Sequence, residues 1–179
     1  MSNIPLISAD LQEPKALVDA IRLRRGGKLS NLDRLLLNSP ELASGWNTFL
    51  GAVRQRLSLS AKLRELAICA VAVLNKADYE YIHHVPVLRA SGGSEEEISA
   101  LDDVQAAASN AGPFDAAERA TLQLTYEMTT QVAVSPGTLQ SAKDSLPNAQ
   151  TLVELISVIA AYNMVSRVIV VADLEIEKP

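Results

Sequence analysis

Apolar residues recur along the chain at helical spacing, and Pro, Gly and capping residues divide it into segments of helix length. No segment alternates strictly between apolar and polar positions, as a half-buried strand would. The predicted helices cover 14–25, 31–38 with Asn31 as cap, 40–57, 61–75 after Ser60, and 78–90. Further helices begin at the capping residues Ser94 and Asp115 and at 136, and a long last helix follows 148. The stretch 102–113 is expected to be partly helical or a loop. The pattern predicts an all-α protein.

Two segments are apolar nearly all round, which is typical of helices at the centre of a core. The first, 66–74, is too short to span a bilayer. The second, 152–176, includes Glu154, Asn163 and Arg167 among its polar residues, so we interpret it as a buried helix of a globular protein.

The composition favours close-packed helices around one core. Hydrophobic residues make up 48% of the chain and aromatic residues only 4%, so Ala, Leu, Val and Ile must build the core. No linker rich in Pro, Gly or Ser divides the chain. We expect a single domain over residues 1–179, with 1–30 as an N-terminal extension and first helix.

Charge and cysteine content narrow the range of partners. A net charge of −5 without a long basic run gives little affinity for a polyanion, so we expect no nucleic-acid partner. The single cysteine, Cys69, excludes an internal disulfide and a cysteine-only metal cage. The first twelve residues do not resemble a secretory signal, and we expect a cytoplasmic protein with no membrane partner.

The candidate chemistry begins with the two histidines, His83 and His84. On a helix Glu80 lies three positions from His83 and four from His84, so a carboxylate shares a face with an imidazole. A carboxylate stabilises the imidazolium and makes a proton carrier that works near neutral pH. The alternative is a surface ion pair in the first turn of a helix, which spacing alone favours.

A second acid, Glu65, precedes the apolar stretch 66–74. A carboxylate that points at a core must be paired or protonated, which makes it a candidate functional group. Alternatively it faces water or pairs on the surface with Arg64 or Lys62. The lone Cys69 is expected to be a buried, inert thiol.

Other residues near the histidines could line a pocket. Tyr79 and Tyr81 could supply hydroxyl groups, although such tyrosines are more often packing residues. Adjacent histidines point about 100° apart on a helix, so we expect no metal site from His83 and His84.

Three stretches together resemble the signature of the carboxymuconolactone decarboxylase and AhpD-like superfamily. They are 62–68, 79–84 and 90–98, within a signature region of 60–100, and flanking matches at 36–46 and 161–167 extend the resemblance from about 26 to 175. The resemblance implies an AhpD-like helical bundle that assembles as a homo-oligomeric ring, a trimer or hexamer.

The AhpD-like branch of this superfamily has a Cys-x-x-Cys-x-x-x-His motif that exchanges disulfides, with a glutamate one helix earlier. The histidine falls on His84, the glutamate on Glu65, and the two cysteine positions on Ala77 and Glu80. Dithiol chemistry is therefore not expected, because both thiols are missing. The decarboxylase branch has glutamate at the position of Glu80.

The resemblance thus implies a cofactor-free lyase or isomerase for a small carboxylated or lactone substrate. Glu65, Glu80 and His84 would be catalytic and would transfer protons, whereas Arg64, His83 and Tyr79 would contact the substrate. The alternatives are an AhpD-like antioxidant protein that has lost its cysteine pair, and an oligomeric binding protein without catalysis.

Overall fold

The computed structural model describes residues 2–177, and these residues form helices and connecting turns with no strand among them. The α-helices are α1 Lys15–Arg25, α2 Asn31–Leu36, α3 Pro40–Gln55, α4 Ala61–Leu74, α5 Asp78–Ala90, α6 Glu95–Ala100, α7 Val104–Ala107, α8 Ala116–Thr130, α9 Pro136–Ser145 and α10 Ala149–Ala172, and a 3₁₀ turn covers Leu101–Asp103. The predicted all-α fold is confirmed, and the stretch 102–113 is partly helical as expected.

Contacts between residues divide the chain into two compact units. The first unit holds the residues up to Arg56 together with those from Ile169 onward, and the second unit holds Leu57–Val168. The expectation of a single domain over 1–179 stays a prediction.

The first unit contains α1, α2 and α3. Its α2 begins at a cap that differs from the predicted Asn31: the hydroxyl of Ser30 accepts from the backbone N–H of Asp33, and the Asp33 carboxylate accepts from the N–H of Ser30. This reciprocal arrangement satisfies two N–H groups that a helix start otherwise leaves unpaired. The buried Asp33 also pairs with Arg24 and Arg25.

The second unit is built around α4, which packs against α5 on one side and α8 on another. Residues 65–72 of α4 are all buried, as the unbroken apolar stretch predicts. Many of these side chains are small, which allows neighbouring helices to approach closely. The core around α4 includes Leu66, Cys69, Ala70, Leu88, Leu101, Phe114 and Leu122.

Helix starts in the second unit follow the predicted caps. The hydroxyl of Ser60 accepts from the N–H of Leu63 at the start of α4. Ser94 and Asp115 form capping boxes with Glu97 and Glu118 at the starts of α6 and α8. These caps fix where α4, α6 and α8 begin, whereas α5 follows Ala77 without a side-chain cap.

The last helix, α10, ends at Ala172, four residues before the predicted end, and Asp173 follows with a positive φ of 49°. By length and composition alone α10 could cross a membrane, but 56% of its most apolar window is buried within the protein. A core helix passes the same test of length and composition, so the predicted buried helix is the simpler interpretation.

Candidate active site

Helix α4 holds Glu65 in its second turn, on the side that continues into the core. The carboxylate is 2% exposed, so Glu65 does not face water as the alternative interpretation allowed. A buried carboxylate needs partners, because burial without them costs several kcal/mol.

Helix α5 holds Glu80 and His84 one turn apart, with 2% and 5% of their surfaces exposed. Oε1 of Glu80 lies 3.0 Å from Nε2 of His84. The predicted i,i+4 pair is therefore formed, and it is a buried pair and not a surface ion pair.

The imidazole of His84 bridges the two acids. Its Nδ1 lies 2.6 Å from Oε2 of Glu65, while its Nε2 faces Glu80. Nε of Arg64 donates to the other oxygen of Glu65 over 3.1 Å. The structure thus brings Glu65, His84 and Glu80 together, and we call these three residues the His84 cluster.

Electrostatics keep Glu65 ionised within this cluster. Burial disfavours its charged form, but the hydrogen bond and positive charge of His84, together with those of Arg64, hold the pKa of the Glu65 carboxyl below its ordinary value. Nδ1 of His84 therefore donates a hydrogen bond to Glu65, and the ring orientation is set by that bond.

The other ring nitrogen shares one proton with Glu80. With the proton on nitrogen the pair is an imidazolium and a carboxylate; with the proton on oxygen it is a neutral imidazole and a carboxylic acid. The 3.0 Å separation between Nε2 and Oε1 suits either form. Such a pair can give up or take a proton, which is the requirement for general acid–base chemistry.

Cys69 lies one helical turn after Glu65 and is fully buried. Burial strongly raises the pKa of its thiol, and the negative charges of Glu65 and Glu80 raise it further. Because the thiolate is the nucleophilic form, this thiol is inert at neutral pH.

The three residues expected to contact a substrate lie in different surroundings. Arg64 belongs to the cluster through Glu65 and is 13% exposed. Tyr79 is buried, whereas His83 is exposed, and their rings stack with centroids 4.3 Å apart. Nδ1 of His83 donates to the Tyr79 carbonyl over 2.6 Å, and His83 is exposed whereas its neighbour His84 is buried.

Tyr162 on α10 is a contact of the His84 cluster that the sequence did not indicate. Its hydroxyl lies 3.4 Å from Nε2 of His84, and the two rings pack edge to face. A buried tyrosine needs a hydrogen-bond partner for its hydroxyl. The presence of one tyrosine in an otherwise apolar helix was the feature of the sequence that could have indicated this contact.

Within residues 2–177, no group of three or more His, Cys, Asp and Glu side chains has the arrangement of a metal site. In the His84 cluster both ring nitrogens face a carboxylate oxygen, at 2.6 and 3.0 Å.

The chain is similar to known proteins in sequence and in structure. The model of the carboxymuconolactone decarboxylase family matches residues 40–127, a region that includes Glu65, Glu80 and His84. No curated protein sequence matches the chain.

Solved structures share the fold at low sequence identity. An uncharacterized peroxidase-related protein from Silicibacter sp. TM1040 is 17% identical over 98% of this chain and 90% of its own, with a TM-score of 0.79. An uncharacterized peroxidase-related protein with an alkylhydroperoxidase AhpD core, from Ralstonia eutropha JMP134, is 13% identical over 99% of this chain and 93% of its own, with a TM-score of 0.82. The debrominase Bmp8, solved with 2,3,4-tribromopyrrole, is 16% identical over 99% and 94%, with a TM-score of 0.77.

At these identities the solved structures establish the fold, and the family model adds the sequence signature around the His84 cluster. The resemblance expected from the sequence is confirmed: residues 40–127 match the carboxymuconolactone decarboxylase family model, and the fold is shared with AhpD-like proteins. The two cysteine positions of the AhpD-like motif are occupied here by Ala77 and Glu80.

Proposed function

We propose that this protein is a cofactor-free lyase or isomerase that acts on a small carboxylated or lactone substrate by proton transfer. The observation that carries the proposal is the buried His84 cluster, in which one imidazole lies between two carboxylates at 2.6 and 3.0 Å. The proton between Nε2 of His84 and Glu80 can be transferred to a substrate. The hydrogen bond from Nδ1 to Glu65 fixes the orientation of the ring.

In a decarboxylation, the bond between the substrate carbon and its carboxylate breaks and carbon dioxide leaves. The electron pair passes into an adjacent carbonyl group as an enolate. The proton shared by His84 and Glu80 is then added to the carbon, and solvent returns a proton to the pair. No electrons are gained or lost, so the reaction needs no redox cofactor.

Burial of the cluster suits this chemistry. With little water nearby, the charge of the imidazolium acts on a developing enolate with little dielectric screening. Because the three side chains are 2–5% exposed, a substrate touches them only after a neighbouring side chain moves. Arg64, which pairs with Glu65, and the stacked Tyr79 and His83 are the proposed substrate contacts.

The substrate class is supported by two relatives. The matching family is named for carboxymuconolactone, a small cyclic ester with a carboxylate. The debrominase Bmp8 was solved with 2,3,4-tribromopyrrole, which is also a small ring compound. Both names favour a compact cyclic substrate.

The antioxidant alternative is disfavoured by the thiol chemistry. Two thiols are needed for disulfide exchange, whereas the chain has one cysteine. That cysteine is buried, and its raised pKa keeps it protonated. A binding protein without catalysis is the remaining alternative.

We propose further that the protein works in the cytoplasm as a homo-oligomer, a trimer or a hexamer, with a small molecule as its ligand. Exposed apolar side chains of the second unit support an assembly; they are Ile82, Val87, Val132, Val153 and Met164. Neither nucleic acid nor a membrane is part of the proposal.

Replacing His84 by Gln tests the proposed reaction. Carbon dioxide release from carboxymuconolactone and from related carboxylated lactones is measured for the wild type and the variant. We expect the substitution to lower turnover by about 100-fold or more, because it removes the shared proton. Glu80→Gln should have an effect of the same order.

The matched control is Glu96→Gln, which neutralises an exposed carboxylate of the second unit and should leave turnover unchanged. Full activity of the His84→Gln variant would contradict the proposed mechanism. A wild-type protein that binds these lactones without releasing carbon dioxide would support the binding-protein alternative instead.

A further inference from the structure

Nε2 of His84 has two oxygen atoms within reach. Oε1 of Glu80 lies at 3.0 Å, a normal hydrogen-bond distance, and the hydroxyl oxygen of Tyr162 lies at 3.4 Å, which is long for a hydrogen bond. Tyr162 is thus the weaker of two polar neighbours on the side of the ring where a proton would be exchanged.

The tyrosine ring also packs against the imidazole. The ring centroids are 5.1 Å apart and the ring planes are inclined by 84°. At this distance the electron-rich ring of a tyrosine attracts an imidazolium. Tyr162 is completely buried, so its ring fills a fixed position beside His84.

The backbone of Tyr162 is tied to the end of α4. Its carbonyl oxygen accepts a hydrogen bond from the hydroxyl of Ser166. The same hydroxyl accepts from Nδ2 of Asn75, the residue that caps α4, over 3.2 Å. The helix that carries Glu65 and the helix that carries Tyr162 are therefore linked at the C-terminal end of α4.

We propose that Tyr162 is a positioning residue for His84. Its ring blocks rotation of the imidazole about the Cβ–Cγ bond, and its hydroxyl keeps Nε2 directed towards Glu80. Rotation by a half-turn would place carbon atoms where the two nitrogens now lie and would break the bonds to both acids. Tyr162 acts through His84 and needs no contact with a substrate.

The importance of Tyr162 for catalysis rests on the proposed function, but its effect on His84 does not and can be tested without a substrate. The chain has just two histidines, so a protein labelled with ¹⁵N-histidine gives four ring-nitrogen signals. The signals of His84 are assigned with a His83→Gln variant, and in every other sample those of His83 serve as an internal reference.

The test compares Tyr162→Phe with Tyr126→Phe. The second variant is a matched control, because it removes a tyrosine hydroxyl that donates to Gln105 over 3.0 Å and not one that faces His84. In Tyr162→Phe we expect the Nε2 signal of His84 to shift more than its Nδ1 signal. We also expect the Nε2 proton to exchange with water about threefold faster, as loss of a weak hydrogen bond implies.

A second measurement uses the unaltered protein, so the test does not depend on how a variant folds. The edge-to-face packing predicts nuclear Overhauser effects between the ring protons of Tyr162 and those of His84. Absence of these effects would overturn the inference, as would equal His84 spectra and equal proton exchange in Tyr162→Phe and Tyr126→Phe. Neither result bears on the proposed lyase reaction, which the His84→Gln experiment tests separately.

Discussion

Lys62 and His84 each lie between two buried carboxylates, and both sites include residues of α4. Nζ of Lys62 is 2.7 Å from Glu97 and 2.5 Å from Glu118, and we call these three residues the Lys62 cluster. The ring nitrogens of His84 are 2.6 and 3.0 Å from Glu65 and Glu80. The numbers and signs of the charges match, but the chemistry available to the two clusters differs.

The carboxylates of the Lys62 cluster also cap helices. Glu97 accepts from the N–H of Ser94 over 2.7 Å, and Glu118 accepts from the N–H of Asp115 over 2.8 Å, so each closes a capping box. Lys62 neutralises both caps. Glu65 lies in the second turn of α4 and Glu80 in the first turn of α5, and both contact His84.

The central cations also differ in how readily they lose a proton. Burial of Lys62 favours its neutral form, but the hydrogen bonds and charges of Glu118 and Glu97 outweigh that effect and raise the pKa of the ammonium group. Lys62 therefore stays charged throughout the physiological range, whereas an imidazole can exchange its proton there. A cation between two buried acids stabilises a fold; catalysis also requires that the proton can leave.

The largest change in stability should follow from Lys62→Met. The substitution leaves Glu97 and Glu118 buried without their cation, and we expect the free energy of unfolding to fall by about 3 kcal/mol. Turnover per folded molecule should not change, because the Lys62 cluster takes no part in the chemistry. Urea unfolding and the carbon dioxide assay measure the two effects.

Lys143→Met removes an exposed lysine of the second unit and is the matched control, with an expected change below about 0.5 kcal/mol. If Lys62→Met were as stable as this control, the Lys62 cluster would not stabilise the fold as its geometry indicates. Loss of turnover at full stability would show that the two clusters are not separate in function.

An intermediate effect is expected for Glu65→Gln, and it should depend on pH. The pKa of Glu65 is lower in the folded protein than its ordinary value of 4.5. Its contribution to stability is therefore complete above pH 4.5 and is lost as the pH falls through the folded-state pKa. The variant should be about 2 kcal/mol less stable than the wild type near pH 7, and this difference should shrink in acid.

Unfolding curves between about pH 7 and pH 3 measure that difference. Glu96→Gln provides the comparison, since its carboxylate is exposed and its removal should cost little at any pH in this range. A difference between wild type and Glu65→Gln that grows as the pH falls would contradict the stated charge of Glu65.

The smallest effect is expected for Cys69→Ala, next to Glu65 in the core. Loss of a small buried group should lower the free energy of unfolding by about 1 kcal/mol and leave turnover unchanged. In the wild type a thiol reagent should modify Cys69 only after unfolding, because the thiol is buried and its pKa is raised. Rapid modification of the native protein, or loss of turnover in the variant, would contradict the interpretation of Cys69 as an unreactive thiol with no part in the reaction.

Much of the fold was predictable because its signals are local. Ser60, Ser94 and Asp115 cap helices where the sequence placed them. The cap of α2 was predicted at Asn31 and lies at Ser30, because the acid three residues after Ser30 is Asp33, a variant of the usual capping box with Glu.

The candidate site was predictable in part for the same reason. The Glu80–His84 pair follows from helical spacing alone. Glu65 was a candidate from its position before the apolar stretch 66–74, and the resemblance to a family supported it. The contact of His84 with Tyr162 spans 78 positions, and that of Lys62 with Glu97 spans 35. Spacing on one helix carries no information about such contacts, which depend on how the helices pack.

The order of charges through the active site has a consequence for binding. Arg64, Glu65, His84 and Glu80 follow one another as plus, minus, plus and minus, so this buried row is neutral only when His84 is protonated or shares its proton with Glu80. Binding of an anion beside the row adds a negative charge to the buried site. Uptake of one proton from solvent would neutralise that charge. Docking of a carboxylated ligand would then be thermodynamically linked to acidity, so the apparent affinity would weaken as the solution becomes more alkaline.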